Sequence, residues 1–248
     1  DGFADPFEGV DLNRNYPFGW GELGSSEAPM HKWYRGPAPG SEPETLAMMG
    51  LAERERFAAV LSFHTYGTDV YSSYVVPSKR DHQPDIARAI GKALTAATPV
   101  QPNDRAYAVR EGPYPVAGSD QDWYLHAFGT MAYVVEGSHH NPPLDVRTAA
   151  VEATRPLWQT LLDRVRGPWI GGHVRDTGGK AVDAEVRIAE HHTFEGERWT
   201  TRARDGRFDR AVAKPGTYTV QVLVPDRAPI ERIVKVGNRR VDVDIVVP

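Results

Sequence analysis

The stretch AAVLSFHTY, residues 58–66, carries a nearly unbroken apolar run that stops at His64. So short a run predicts a strand buried on both faces, as in a parallel or mixed sheet covered by helices. TMAYVVE, residues 130–136, repeats the signature and stops at Glu136. Between and around them, 43–57, 84–98 and 146–166 have helical spacing, the last interrupted by Pro156, and 69–76 reads as a further strand. This alternation predicts an α/β layer, a mixed and mostly parallel sheet flanked by helices.

Past GPWIGG the helical period is gone. Segments such as RDGRFDRAVAKPGTYTVQVLV alternate apolar and polar residues between glycine turns, the antiparallel pattern of a small β-sandwich. The expected division is therefore 1–167 and 168–248. At 248 residues and 40% hydrophobic the chain can bury a substantial core. A net charge of -4 gives no footprint for nucleic acid or an anionic membrane, and no apolar run is long enough to span a bilayer. With no cysteine there is neither a disulfide nor a thiolate metal site.

Three places carry chemistry. GVDLNRNY, residues 9–16, gathers Asp11, Asn13 and Arg14, and His64 and Glu136 end the two apolar strands. In open α/β sheets ligands gather at such carboxyl ends. Each has a plain structural reading when taken singly: an Asx-rich turn, a hydrogen-bonded histidine, a solvated carboxylate. Tyr114 in EGPYPVAGS likewise reads as a loop residue packing its ring. Their joint occurrence shifts the balance.

In this order the motifs resemble the zinc metallocarboxypeptidases of the carboxypeptidase A type. GVDLNRNY looks like that family's substrate-anchoring segment, SFHTYG like the strand ending in its third zinc ligand, and YVVEGS like the strand ending in its catalytic Glu. YRGPAPGSEPET (34–45) and EGPYPVAGSDQDWY (111–124) resemble two further family stretches. The resemblance implies that Arg14 and Asn13 anchor a terminal carboxylate, that His64 binds zinc with Asp11 as outer support, and that Glu136 is the general base. It further implies that Tyr114 covers the bound residue, that Thr65 and Tyr66 flank it across a cis peptide, and that Gln121 lies on the pocket floor, with Asp120 and Asp69 as nearby acids. Residues 168–248 resemble the transthyretin-like, regulatory-type sandwich that follows one branch of these enzymes.

One departure stands out. The family's first two zinc ligands come from a His-x-x-Glu segment ahead of the DLNRN motif, and none of the nine histidines stands there. His192 with Glu195 has the spacing but lies in the β-rich part and reads as a surface turn. The oxyanion-stabilising arginine is missing as well, and one protein donor cannot hold a catalytic zinc.

Two readings follow. The chain is the later part of a zinc exopeptidase acting on peptide or protein C-termini, its sheet completed by an N-terminal segment or a second chain. Alternatively it is an inactive relative that binds peptide C-termini or partner proteins. The expected location is secreted or periplasmic.

Overall fold

Strand β4 (Met131–Glu136) runs through the middle of a four-stranded sheet of order β1, β4, β2, β3, in which β1 is Ala59–His64, β2 Asp69–Ser72 and β3 Ala108–Val109. The computed structural model describes residues 9–76, 85–98, 106–110, 116–138, 143–194 and 196–248. β1 is parallel to β4 and β3 to β2, whereas β2 and β4 are antiparallel, so the sheet is mixed.

The alternation of β4 decides what lies on each face. Met131, Tyr133 and Val135 enter one core with Ile90 and Leu94 of helix α2 (Asp85–Ala96) and Leu157 and Leu161 of helix α4 (Leu144–Arg166). Ala132 points the other way, into a cluster with Ala52 of helix α1 (Pro43–Glu55) and Trp123 and Tyr124 of helix α3 (Asp120–Phe128). Each fully buried large side chain here contributes about 1.5–3 kcal/mol.

β5 (Trp169–Asp176) pairs antiparallel with β7 (Arg207–Ala211) and parallel with β10 (Val241–Asp242) and β11 (Ile245–Val247). A second antiparallel sheet joins β6 (Glu185–Ile188), β8 (Gly216–Leu223) and β9 (Ile230–Val236). Ile170, Val174 and Phe208 of the first share one apolar cluster with Val186, Val220, Val222 and Val234 of the second. Trp169, Trp199 and Ala211 belong instead to the core built by β4, α2 and α4, so the β-rich part is fastened into the α/β layer.

Several expectations need correction. β1 is not buried on both faces: Phe63 is 50% exposed and the other positions are only half-buried. The reason is its place at the end of the sheet, where its outer edge has no neighbour among the described residues. β2 stops at Ser72, and 73–76 continue as irregular chain held to α3. Pro156 does not interrupt α4, which runs through it. Proline deprives the Glu152 carbonyl of a partner, but Glu152 is exposed to water, while Leu157 and Leu161 hold the next turns in the core. Helix α3 was not foreseen, although Ser119 and the left-handed Gly129 bracket it.

Candidate active site

Parallel pairing of β1 with β4 sets His64 directly beside Glu136 as register partners, both at the carboxyl ends of their strands. The chain then folds back: the Gly137 amide donates to the His64 carbonyl (2.8 Å) and the Gly67 amide to the Ser138 carbonyl. Gly67 is required by this approach, because a Cβ there would stand 2.8 Å from the Glu136 Cβ. The intervening Thr65–Tyr66 peptide is cis, and both residues are exposed at the rim.

Asp11, Asn13 and Arg14 come to the same place. Residues 12–14 form a single short helical turn in which the Asn13 amide donates to Asp11 Oδ1 (3.1 Å). Arg14 is buried; its Nε donates to the Gly24 carbonyl (3.0 Å), its Nη1 to the Asn13 carbonyl (2.8 Å), and Asp11 Oδ2 lies 3.7 Å away. These bonds fix the guanidinium plane and leave donors over. The Asn13 side-chain Oδ1 accepts from the Asp120 amide (2.8 Å), capping α3.

The second asparagine of the motif has a different task. Asn15 is fully buried; its amide nitrogen donates to the carbonyls of Arg35 and Ala38 and to Ser41 Oγ, and its oxygen accepts from the Glu42 amide (3.3 Å). One of the segment's four polar side chains is thus spent on tying down 35–42.

Asp11, Asn13, Arg14, His64, Thr65, Tyr66, Gln121 and Glu136 line one cavity of about 460 Å³, with Lys32 and Trp33 also on its wall. Tyr114 lies outside the described residues, as does Glu195. Burial pushes the Glu136 carboxyl up to about 7; the charge of Asp69 adds to this and Arg14 opposes it. A carboxyl that titrates near neutrality is suited to exchanging protons. Glu136 Oε2 and Gln121 Oε1 are both buried without a hydrogen-bond partner among the described residues.

Sequence reasoning missed Ser62. Its Oγ lies 3.2 Å from His64 Nε2 and bonds the buried Asp120, whose carboxyl is pushed up by burial against the pull of Ser62 and His64. This chain of contacts orients the imidazole and leaves Nδ1 as the ring's other donor atom. The i, i+2 spacing of Ser62 and His64 on one strand face was the available signal.

The arrangement can bind an anion at a fixed guanidinium and move a proton at Glu136. It does not make a zinc site by itself. Among the described residues no group of three His, Cys, Asp or Glu side chains is placed to hold an ion, and His64 gives a single donor.

The chain is similar to several known carboxypeptidases. The chain is 44% identical to carboxypeptidase A5 of Homo sapiens over 59 residues, 23% of this chain and 14% of that protein. It is 32% identical to carboxypeptidase B of Rattus norvegicus over 124 residues, 46% of this chain and 29% of that protein. Among solved structures, carboxypeptidase A from Helicoverpa armigera matches with a TM-score of 0.49 at 22% identity, covering 65% of this chain and 42% of that one. The chain thus spans less than a third of the length of these two curated relatives. The family pattern described as zinc carboxypeptidase (peptidase M14) matches residues 3–150, more than half of the 248. On that match, the chain belongs to the zinc carboxypeptidase family.

Proposed function

We propose that the cleft is part of the substrate site of a zinc-dependent exopeptidase that hydrolyses the C-terminal peptide bond of peptides or proteins. Residues 1–167 are the later part of its catalytic domain, and 168–248 are a transthyretin-like β-sandwich. The observation that carries the reading is the meeting of Arg14, His64 and Glu136 around one cavity.

In this reading Arg14 takes the terminal carboxylate with the donors its backbone contacts leave over, and Asn13 adds a neutral one. Gln121 meets the terminal side chain from the pocket floor, while Thr65 and Tyr66 border it. Glu136 accepts a proton from the attacking water and returns it to the leaving amine. Tyr114 covers the bound residue. His64 contributes one metal donor, with Asp11 as outer support for a ligand that this chain does not hold.

The remaining zinc donors come from a polypeptide segment that adds to β1, in the same protein or as a second chain. Two features support this. The outer edge of β1 has no neighbour among the described residues, and grooves flank it on both sides, one with Leu12, Met48 and Val60 among its lining and the other with Phe63, Val151 and Trp158. A secreted or periplasmic location is proposed with this activity; among the described residues no helix is long and apolar enough to cross a membrane.

A second reading is favoured by the lone donor His64: an inactive relative that binds peptide C-termini or partner proteins. One experiment separates them. The chain is combined with the segment that completes the sheet and assayed for bound zinc and for release of the last amino acid from hippuryl peptides. Stoichiometric zinc with release supports the exopeptidase. Peptide binding without zinc or release, abolished in Arg14→Ala, supports the binding module.

A further inference from the structure

The β-rich part reaches the cleft through one buried acid. Glu197 lies between β6 and β7 and is almost fully buried. One of its oxygens accepts the hydroxyl proton of Tyr74, and the other accepts from the Phe194 amide at 2.8 Å. Tyr74 is wholly buried, and its ring packs against Phe18 (5.2 Å) and Phe194 (5.8 Å).

Both cleft-forming segments converge on that tyrosine. On one side, Ser73 Oγ donates to the Gln121 carbonyl (2.9 Å), and the Asp122 carboxylate accepts from the Val75 and Val76 amides at 3.0–3.2 Å. On the other, Phe18 belongs to the segment that carries Arg14, and that segment pairs with Gly118 through Tyr16 and Phe18. Asn13 then reaches across to the Asp120 amide.

We infer that Glu197 is a positioning residue for the cleft: by holding the Tyr74 hydroxyl it fixes the mutual placement of the Arg14 and Gln121 segments. That this placement serves peptide binding rests on the reading of the cleft given above. Adhesion between the two parts does not need Glu197. Trp199 seats against Gly129, Arg202 Nη1 donates to the Glu55 carbonyl (3.2 Å), and Arg204 pairs with Glu55 (2.8 Å). A buried carboxyl would be a poor choice for adhesion alone, since desolvation works against it, whereas a directional bond sets a position.

The test compares Tyr74→Phe, Glu197→Ala and Glu197→Gln in the whole protein by amide hydrogen exchange and by titration with hippuryl-Phe and hippuryl-Arg. In Tyr74→Phe and Glu197→Ala the Asp120 amide should exchange about tenfold faster while the β4 amides stay within about twofold of their original rates. The ratio of the two peptide dissociation constants should shift about threefold or more, and Glu197→Gln, which keeps an acceptor for Tyr74 but loses the one for the Phe194 amide, should return both readouts most of the way toward the parent values. An Asp120 amide that keeps its rate, or one that accelerates only in step with β4, overturns the inference, as does an unaltered preference between the peptides. If the parent protein binds neither peptide, the exopeptidase and binding-module readings fail, and the exchange rates alone decide the role of Glu197.

Discussion

His64 and Glu136 are neighbours across the β1–β4 ladder, paired in register at the last residue of each strand. Their heads therefore share one end of the sheet, and Arg14 joins them from a segment some fifty residues earlier than His64. A basic anchor and a carboxyl pushed up toward neutrality on the wall of one cavity suit a short polypeptide terminus, and the predictions that concern it follow from that meeting.

Removing the anchor should abolish recognition of the free carboxylate. Arg14→Ala is expected to weaken binding of hippuryl-Phe by about 1.5–3 kcal/mol, the worth of hydrogen bonds to a charged group, and to leave the weaker binding of its C-terminal amide unchanged. Calorimetric titration of both ligands gives the comparison. Equal losses for acid and amide would remove Arg14 from the site.

Glu136→Gln keeps the shape of the side chain and deletes the base. In the protein with its sheet completed, kcat for hippuryl peptides should drop about 10²–10⁴-fold, with KM altered far less. A fall in KM-dependent terms alone would make Glu136 a binding group.

Asp122 gives the pH dependence of stability. Its carboxyl is fully buried and pushed up to about 7 by that burial, despite the backbone amides of Val75 and Val76. Over the range from about 4 to about 7 the folded chain keeps a proton that the unfolded chain has released, so stability falls as pH rises through that window and is level above it. The displacement corresponds to at most about 4 kcal/mol. Thermal unfolding midpoints of Asp122→Asn measured between pH 4 and 8 should show a shallower decline than those of the parent, and an equal decline would contradict the assignment.

The two parts of the chain meet tightly at Gly129, whose φ is +71° and where a Cβ would lie 2.6 Å from the Trp199 ring. Gly129→Ala combines left-handed backbone strain with a collision against a buried indole. It should cost about 2–4 kcal/mol in denaturant unfolding and alter the near-ultraviolet dichroism of the tryptophans. Gly50→Ala, in the interior of α1 with open space around it, is the control expected to be neutral or slightly stabilising.

What was legible in the sequence is the local pattern. MAYVV reads as a buried strand and is one, because β4 has strands on both edges and helices on both faces. AVLSF reads the same way and is half-exposed, because burial depends on what lies across an edge, which no local window contains. Arg14, His64 and Glu136 were found as candidate groups because each sits in a short motif. Ser62 with Asp120, and Tyr74 with Glu197, were not, since each pair is brought together by folding from 58 and 123 positions apart. Asn15 shows the opposite limit: within five residues of polar sequence, structural and candidate binding roles are interleaved, and only the hydrogen-bond partners separate them.

The bare side of β1 also governs how these residues behave in a test tube. Alternate residues of β1 turn their backbone N–H and C=O groups away from β4, toward an edge with no neighbour among the described residues, and beside an exposed Phe63 and Trp158 these groups form a template for edge-to-edge association. Two copies joined this way would make one continuous sheet from both and hide the aromatic flanks, at the cost of obstructing the cleft beside His64. Expressed on its own, the polypeptide should therefore form concentration-dependent oligomers, and dilution or a competing extended peptide should release them.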